Sequence, residues 1–236
     1  VLVDVRESYN KAISKSTAYI LKGVTGHAVP ESLVSDEIIY LFRRTGGFNN
    51  DWDTVYGILM FTLSSLPKDA RRCLEGLMGK IGKENSPFKR LMLIKEYAEG
   101  ESRLRMLDDR FFVETIRRIR DFTGLLDSTG RRSVDKNLAE AFGKDEDFQR
   151  FYDLLRLFLH PADDVRRSII ARVFEEFFCG ASLFKEVYGV NPQFNMGPGL
   201  IENENLIIQP ETLDSLALIL GRRNLGIASG SRIKPA

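Results

Sequence analysis

Cysteine and histidine are both scarce in this 236-residue chain. Cys73 and Cys179 are too few and too far apart for a disulfide framework or a zinc site. His27 and His160 are the only histidines, and neither has a second ligand or a matched nucleophile nearby in sequence. Both therefore read as structural. A reducing, cytoplasmic setting fits this cysteine usage. An excess of one charge is also missing, because 34 Lys and Arg offset 33 Asp and Glu. With the two signs interspersed, the basic footprint of a nucleic-acid-binding protein is absent and a polyanionic partner is not expected. No apolar run is long enough to cross a bilayer. Low-complexity tracts and fixed-period repeats are absent as well. A starter Met is also lacking, and the chain opens directly on the apolar run Val1-Leu2-Val3.

What is present is a hydrophobic fraction of 43%, ample for a core. Helical periodicity dominates from Arg6 to Tyr188. Apolar residues recur at three- and four-residue steps in Tyr9, Ile13, Ala18 and Leu21, and a second helix follows the cap-like Ser35. Further helices are predicted at Trp52 to Leu63, Lys68 to Gly79, Pro87 to Tyr97, Arg110 to Phe122, Asp147 to Leu159, Asp163 to Phe178 and Ser182 to Tyr188. Turn chemistry separates them at Gly46-Gly47, Gly82 to Pro87, Ser128-Thr129-Gly130 and His160-Pro161. From Pro192 to Pro210 the texture changes to Gly, Pro, Asn and short β-branched runs. This reads as a return to sheet, followed by a helix from Glu211 to Leu220 and a strand over Leu225 to Ala228. The expected fold is mainly α: a large helical cap inserted into a truncated, Rossmann-like α/β core. The expected divisions are residues 1–5 as a core remnant, 6–190 as the cap and 191–236 as the return to the core.

The strand Leu225-Gly226-Ile227-Ala228 runs into Ser229-Gly230-Ser231-Arg232. A hydroxyl and a glycine turn at the carboxyl edge of a parallel sheet make a phosphate cradle. Ser as the N-cap of a following helix is the other reading of Ser229. At the opposite end, Arg6 and Tyr9 lie one helical turn apart, facing either a cleft or, respectively, solvent and core. The string Gly46-Gly47-Phe48-Asn49-Asn50-Asp51-Trp52-Asp53 presents Asn49, Asn50 and Asp51 ahead of a helix that Trp52 begins. It serves either as a ligand-reading loop or as a helix N-cap with Trp52 packed inward. The pairs Asp108-Asp109 and Asp163-Asp164 read as helix-start charges. The clusters Arg117-Arg118 with Arg120, Arg131-Arg132, and Arg166-Arg167 with Arg172 read as solvated faces. Glu202 and Glu204 lie near the return segment.

Taken in order, these strings resemble haloacid dehalogenase-type hydrolases, specifically the branch with a large helical cap. VLVDVRESYNKAI resembles the stretch just after that family's Asp-x-Asp-Gly motif, and LGIASGSR resembles its second motif, with Ser229 in the hydroxyl position. Ser231 stands where the family often has Arg, and Arg232 follows one place later. GGFNNDWD and GPGLIENENLI are similar to strings in one subgroup. The resemblance spans nearly the whole chain. It implies a Mg²⁺-dependent phosphatase that acts on a small phosphorylated metabolite through an aspartyl-phosphate. Ser229 would bind the phosphoryl group, with Gly230, Ser231 and Arg232 beside it, and Asn49, Asn50, Asp51, Trp52, Arg6 and Tyr9 would be substrate-binding candidates. The aspartate pair would precede Val1, and the later Lys and metal ligands would follow Ala236, so the chain is expected to be an inactive fragment. An all-α interaction module is the alternative, as is another chemistry of the same family, such as phosphomutase or dehalogenase.

Overall fold

The computed structural model describes residues 3–82, 84–105, 107–143 and 145–224. Within them the chain is mainly α, with eleven helices and one two-residue strand pair. The helices are α1 (Lys11–Thr25), α2 (Asp36–Arg44), α3 (Asp51–Ser64), α4 (Lys68–Ile81), α5 (Pro87–Gly100), α6 (Ser102–Arg105), α7 (Asp109–Thr123), α8 (Arg131–Phe142), α9 (Glu146–Leu159), α10 (Ile169–Tyr188) and α11 (Pro210–Leu220). A π-helical turn, Arg6–Asn10, leads into α1. The strands β1 (Val3–Asp4) and β2 (Asn205–Leu206) pair antiparallel.

Side-chain oxygens at the N-caps explain several helix starts. Asn50 accepts from Trp52 N at α3, Ser86 from Lys89 N at α5, Asp108 from Phe111 N at α7 and Ser168 from Ala171 N at α10. Each satisfies a backbone donor that the first turn leaves unpaired. Helix α3 is apolar on every side, and nearly all of its residues from Trp52 to Ser64 are buried. Such a helix belongs at the centre of a body. It packs against α1, α2, α7, α8, α9 and α10, while α1 also packs against α5 and α10. One continuous core runs from Ala12 to Leu200.

Several sequence expectations shift here. The predicted helix over 163–178 begins later, at Ile169, because Ser168 is its cap and residues 161–167 form a turn. Asp163 therefore does not sit on a helix start; it pairs with Arg131 at 2.8 Å and meets His160 at 2.9 Å. Helix α8 follows the expected Ser128-Thr129-Gly130 turn, over residues for which the sequence pattern predicts no helix. The return segment holds a 3₁₀ turn (Leu200–Asn203) and the two-residue β2, and Ile207 and Ile208 lie outside any strand.

Helix α10 breaks at Gly180, whose φ of 72° and ψ of 173° lie outside helical space. The Gly197-Pro198-Gly199 segment inlays into that break, with Ala181 N donating to Gly197 O at 3.0 Å. A Cβ on Gly180 would collide with the backbone of Pro198 and Gly199, and one on Gly199 with Cys179 and Gly180. The glycines thus permit backbone-on-backbone contact that side chains would forbid.

Candidate functional site

Chain topology brings the two ends of the helical body to one place. β1 pairs with β2 in the register Val3 with Leu206 and Asp4 with Asn205. Four residues after β1, the buried Ser8 hydroxyl donates to Glu204 Oε1 at 2.6 Å, a contact spanning 196 residues. Tyr9 packs against Phe178 with ring centroids 4.3 Å apart and the ring planes tilted by 37°. The incoming and outgoing segments are therefore fastened by backbone, hydroxyl and aromatic contacts at the root of the body.

A polar chain spreads from that root. Asp4 and Arg6 form a forked ion pair at 2.6 Å, and the guanidinium hydrogen bonds hold the Asp4 carboxyl down at about 2. One turn later the Asn10 amide donates to Asp36 at 2.9 Å, while its oxygen accepts from Arg43 at 2.8 Å. Arg43 uses its other terminal nitrogen on Asp51, again at 2.9 Å. Arg43 thereby joins the start of α1 to the start of α3, through a loop that sequence reading treats as separate.

The candidate residues distribute as follows. Arg6 is exposed and paired with Asp4, and Tyr9 is half-buried against Phe178. Asn50 caps α3, and Trp52 is buried, its indole N–H donating to Glu175 at 2.8 Å. Asn49 is exposed and its amide reaches back to Gly46 O at 3.4 Å. A Cβ on Gly47 would collide with the backbone of Asp127 and Gly130, so the double glycine lets this loop lie against the α7–α8 connection. The N-cap and the inward Trp52 account for half of the string, leaving Asn49 presented to solvent and Asp51 tied to the root. Ser229, Gly230, Ser231, Arg232 and the strand over 225–228 lie outside the described residues, as do Val1 and Leu2.

Asn10, Asp36 and Arg43 are the site residues that sequence reading missed. Their only signal was position, since Asn10 follows Arg6 by one turn and Arg43 lies three residues before Gly46.

Other polar clusters are committed to packing. His160 Nδ1 lies 2.5 Å from the Ser168 hydroxyl and Nε2 lies 2.9 Å from Asp163, an arrangement that mimics a Ser-His-Asp triad. The Ser168 hydroxyl is fully buried and already caps α10, so it has no route to a substrate. Burial, followed by the neighbouring Arg131, lowers the His160 pKa below its ordinary value. Asp135 accepts from both Tyr56 and Tyr152 at 2.6 Å, and burial drives both phenols upward.

The arginine expected on a solvated face at 172 is buried. It ion-pairs with Glu176, whose carboxylate also accepts three consecutive backbone N–H groups, from Gln193, Phe194 and Asn195. Elsewhere Arg120 pairs with Glu37 and Arg131 with Asp53 and Asp163, so the basic clusters are largely neutralised. A shallow surface crevice between α4 and α9 is lined by Lys68, Arg71 and Arg72, all of them paired with Asp145 or Asp147.

Among the described residues, no group of three or more His, Cys, Asp or Glu side chains could hold a metal. No described helix is long and apolar enough to cross a membrane. Compared with known proteins, the chain matches no family model, no curated protein and no solved structure.

Proposed function

We propose that this chain carries the helical cap of a haloacid dehalogenase-like phosphatase, standing over the carboxyl edge of a Rossmann-like sheet. The observation that carries the reading is the joining of the two ends at β1 and β2, together with the Ser8–Glu204 contact. About two hundred residues of helix leave and return through one point, as a unit inserted into another body must. Helix α11 adds support. It contains no buried residue, and Leu213, Leu216, Leu218, Ile219 and Leu220 are exposed. An exposed apolar patch of this kind marks a surface that another body covers.

In this reading a small phosphorylated metabolite is hydrolysed through an aspartyl-phosphate. The Ser229 hydroxyl donates to a phosphoryl oxygen, helped by the backbone N–H groups of Gly230 and Ser231, with Arg232 alongside. Fixed donors aimed at developing charge are the main requirement of phosphoryl transfer. The helical body closes over the site, excluding water and presenting the Asn49–Asp51 loop to the substrate. The reading requires a nucleophilic aspartate on a strand leading into Val1. It also requires Mg²⁺, which would neutralise phosphoryl charge when bound; the described residues do not supply its ligands.

The test is phosphate release from a panel of small phosphomonoesters by the whole gene product, with and without Mg²⁺. The reading expects metal-dependent turnover that falls roughly ten- to a thousandfold in Ser229→Ala. A folded protein with no turnover across the panel favours the second reading, an all-α interaction module, for which the apolar surface of α11 is the specific observation.

A further inference from the structure

We infer that His160 is a proton-operated latch on the corner between α9 and α10: neutral, it holds residues 160–168 closed, and protonated, it releases that corner and the first turn of α10 while the rest of the helical body stays folded. The hydrogen bonds of the closed corner require the neutral ring. Arg131 keeps Asp163 ionised, so this carboxylate only accepts, and the proton of its 2.9 Å bond to His160 lies on Nε2. Nδ1 is then an acceptor, and the Ser168 hydroxyl 2.5 Å away donates to it. The same hydroxyl oxygen accepts from Ala171 N at 3.0 Å and so caps α10. A proton added at Nδ1 would meet the hydroxyl proton already lying between the two atoms. The other acceptor shown within reach of that hydroxyl is Leu159 O, at a long 3.4 Å.

The surroundings keep the ring neutral and make the corner easy to open. His160 is buried, and burial followed by Arg131 outweighs the opposing pull of Asp163, so its pKa is lowered. Arg131 spans Asp163 and Asp53 of α3, so Asp163 already serves one cation. From α3 the Tyr56 ring lies 6.0 Å away, with its hydroxyl given to Asp135 of α8, and Arg156 of α9 is 3.7 Å from that carboxylate. On α10, Arg172 is paired with Glu176. From α5, Arg90 fastens the corner by donating to Leu157 O and Arg167 O. Within the corner Asp164 accepts from Arg166 N, and of residues 161–167 only Val165 is buried. A segment held by polar contacts and one buried apolar side chain opens at low cost. Once open, the ring titrates at its ordinary value of about 6.5, and each pH unit below that favours the open form by up to about tenfold.

The test follows amide hydrogen exchange in the 236-residue chain and in His160→Gln from about pH 7.5 to about pH 5, with and without low urea, read as protection factors so that the intrinsic pH dependence of exchange drops out. The latch expects protection at Arg167, Ser168, Ala171 and Arg172 to fall about ten- to thirtyfold across this range, and the fall to disappear in His160→Gln. It also expects exchange at these four amides to depend on urea far less than exchange in the middle of α3, the mark of local rather than global opening. Protection that is flat with pH, that falls equally in His160→Gln, or that carries the urea slope of α3 overturns the latch. If His160→Gln does not fold, the ring nitrogens of the wild-type chain decide by NMR. The closed chain is expected to keep a neutral ring with its proton on Nε2 at about pH 5.5, whereas a closed ring that titrates near about 6.5 overturns the latch.

Discussion

At the residue scale, the buried acids of α10 carry more of the architecture than their spacing suggests. Glu176 accepts from Arg172 and from three backbone N–H groups, so it fastens the 193–195 loop to the helix. Glu176→Ala strands a buried guanidinium and three donors at once. The expected loss is about 3–5 kcal/mol, measured by urea unfolding. Gly180→Ala is expected to cost at least about 2 kcal/mol in the same measurement, because both its left-handed φ and the adjacent Gly199 backbone oppose a Cβ. Asn50→Ala removes the α3 cap and is expected to cost about 1 kcal/mol.

His160 supplies a pH dependence whose sign is fixed. Burial lowers its folded pKa below the unfolded value of about 6.5. As pH falls below that value the unfolded chain takes up a proton that the folded chain refuses, so stability declines until pH passes the folded pKa. His160→Gln is expected to flatten the unfolding midpoint through this window, and an unaltered slope would assign the dependence elsewhere.

At the scale of elements, the helices with strong apolar periodicity were legible to within a few residues. Helix α8 was not, since its buried stripe amounts to Ser133, Val134 and Leu138, and the preceding Ser-Thr-Gly turn dominates the local pattern. The early start expected for α10 has a similar cause. Val165 is buried and extends the apolar period upstream, but His160, Arg131 and Ser168 hold residues 160–168 in a turn instead. The break in α10 was half visible, because the two helices expected over 163–178 and 182–188 flank Gly180. The Gly-Pro-Gly segment that fills it lies too far along the chain for local pattern to connect them. Arg172 misled for the same reason, as a cation beside acids reads as a solvated face unless the backbone donors of a distant loop are known.

At the scale of the whole molecule, the sequence texture marked where the helical region starts and stops, but not that its limits meet. That meeting rests on Val3 with Leu206, Asp4 with Asn205 and Ser8 with Glu204, pairs about two hundred residues apart and invisible to periodicity. Arg6 and Asp51 stand out in the sequence, whereas the contacts that tie Asp51 through Arg43 to Asn10 do not, because they join residues on three separate elements. A body closed at its root holds its own core, whereas α11 lies beyond that root and buries nothing within the described residues.

The most direct test of this account compares the urea unfolding of the 236-residue chain with that of a version ending at Gln209. If residues 3–206 are a closed unit and α11 belongs against another body, the shorter chain unfolds cooperatively at the same midpoint. A loss of cooperativity, or a midpoint lowered by the equivalent of about 2 kcal/mol or more, would show that the later residues complete the helical core and would contradict the inserted-unit account.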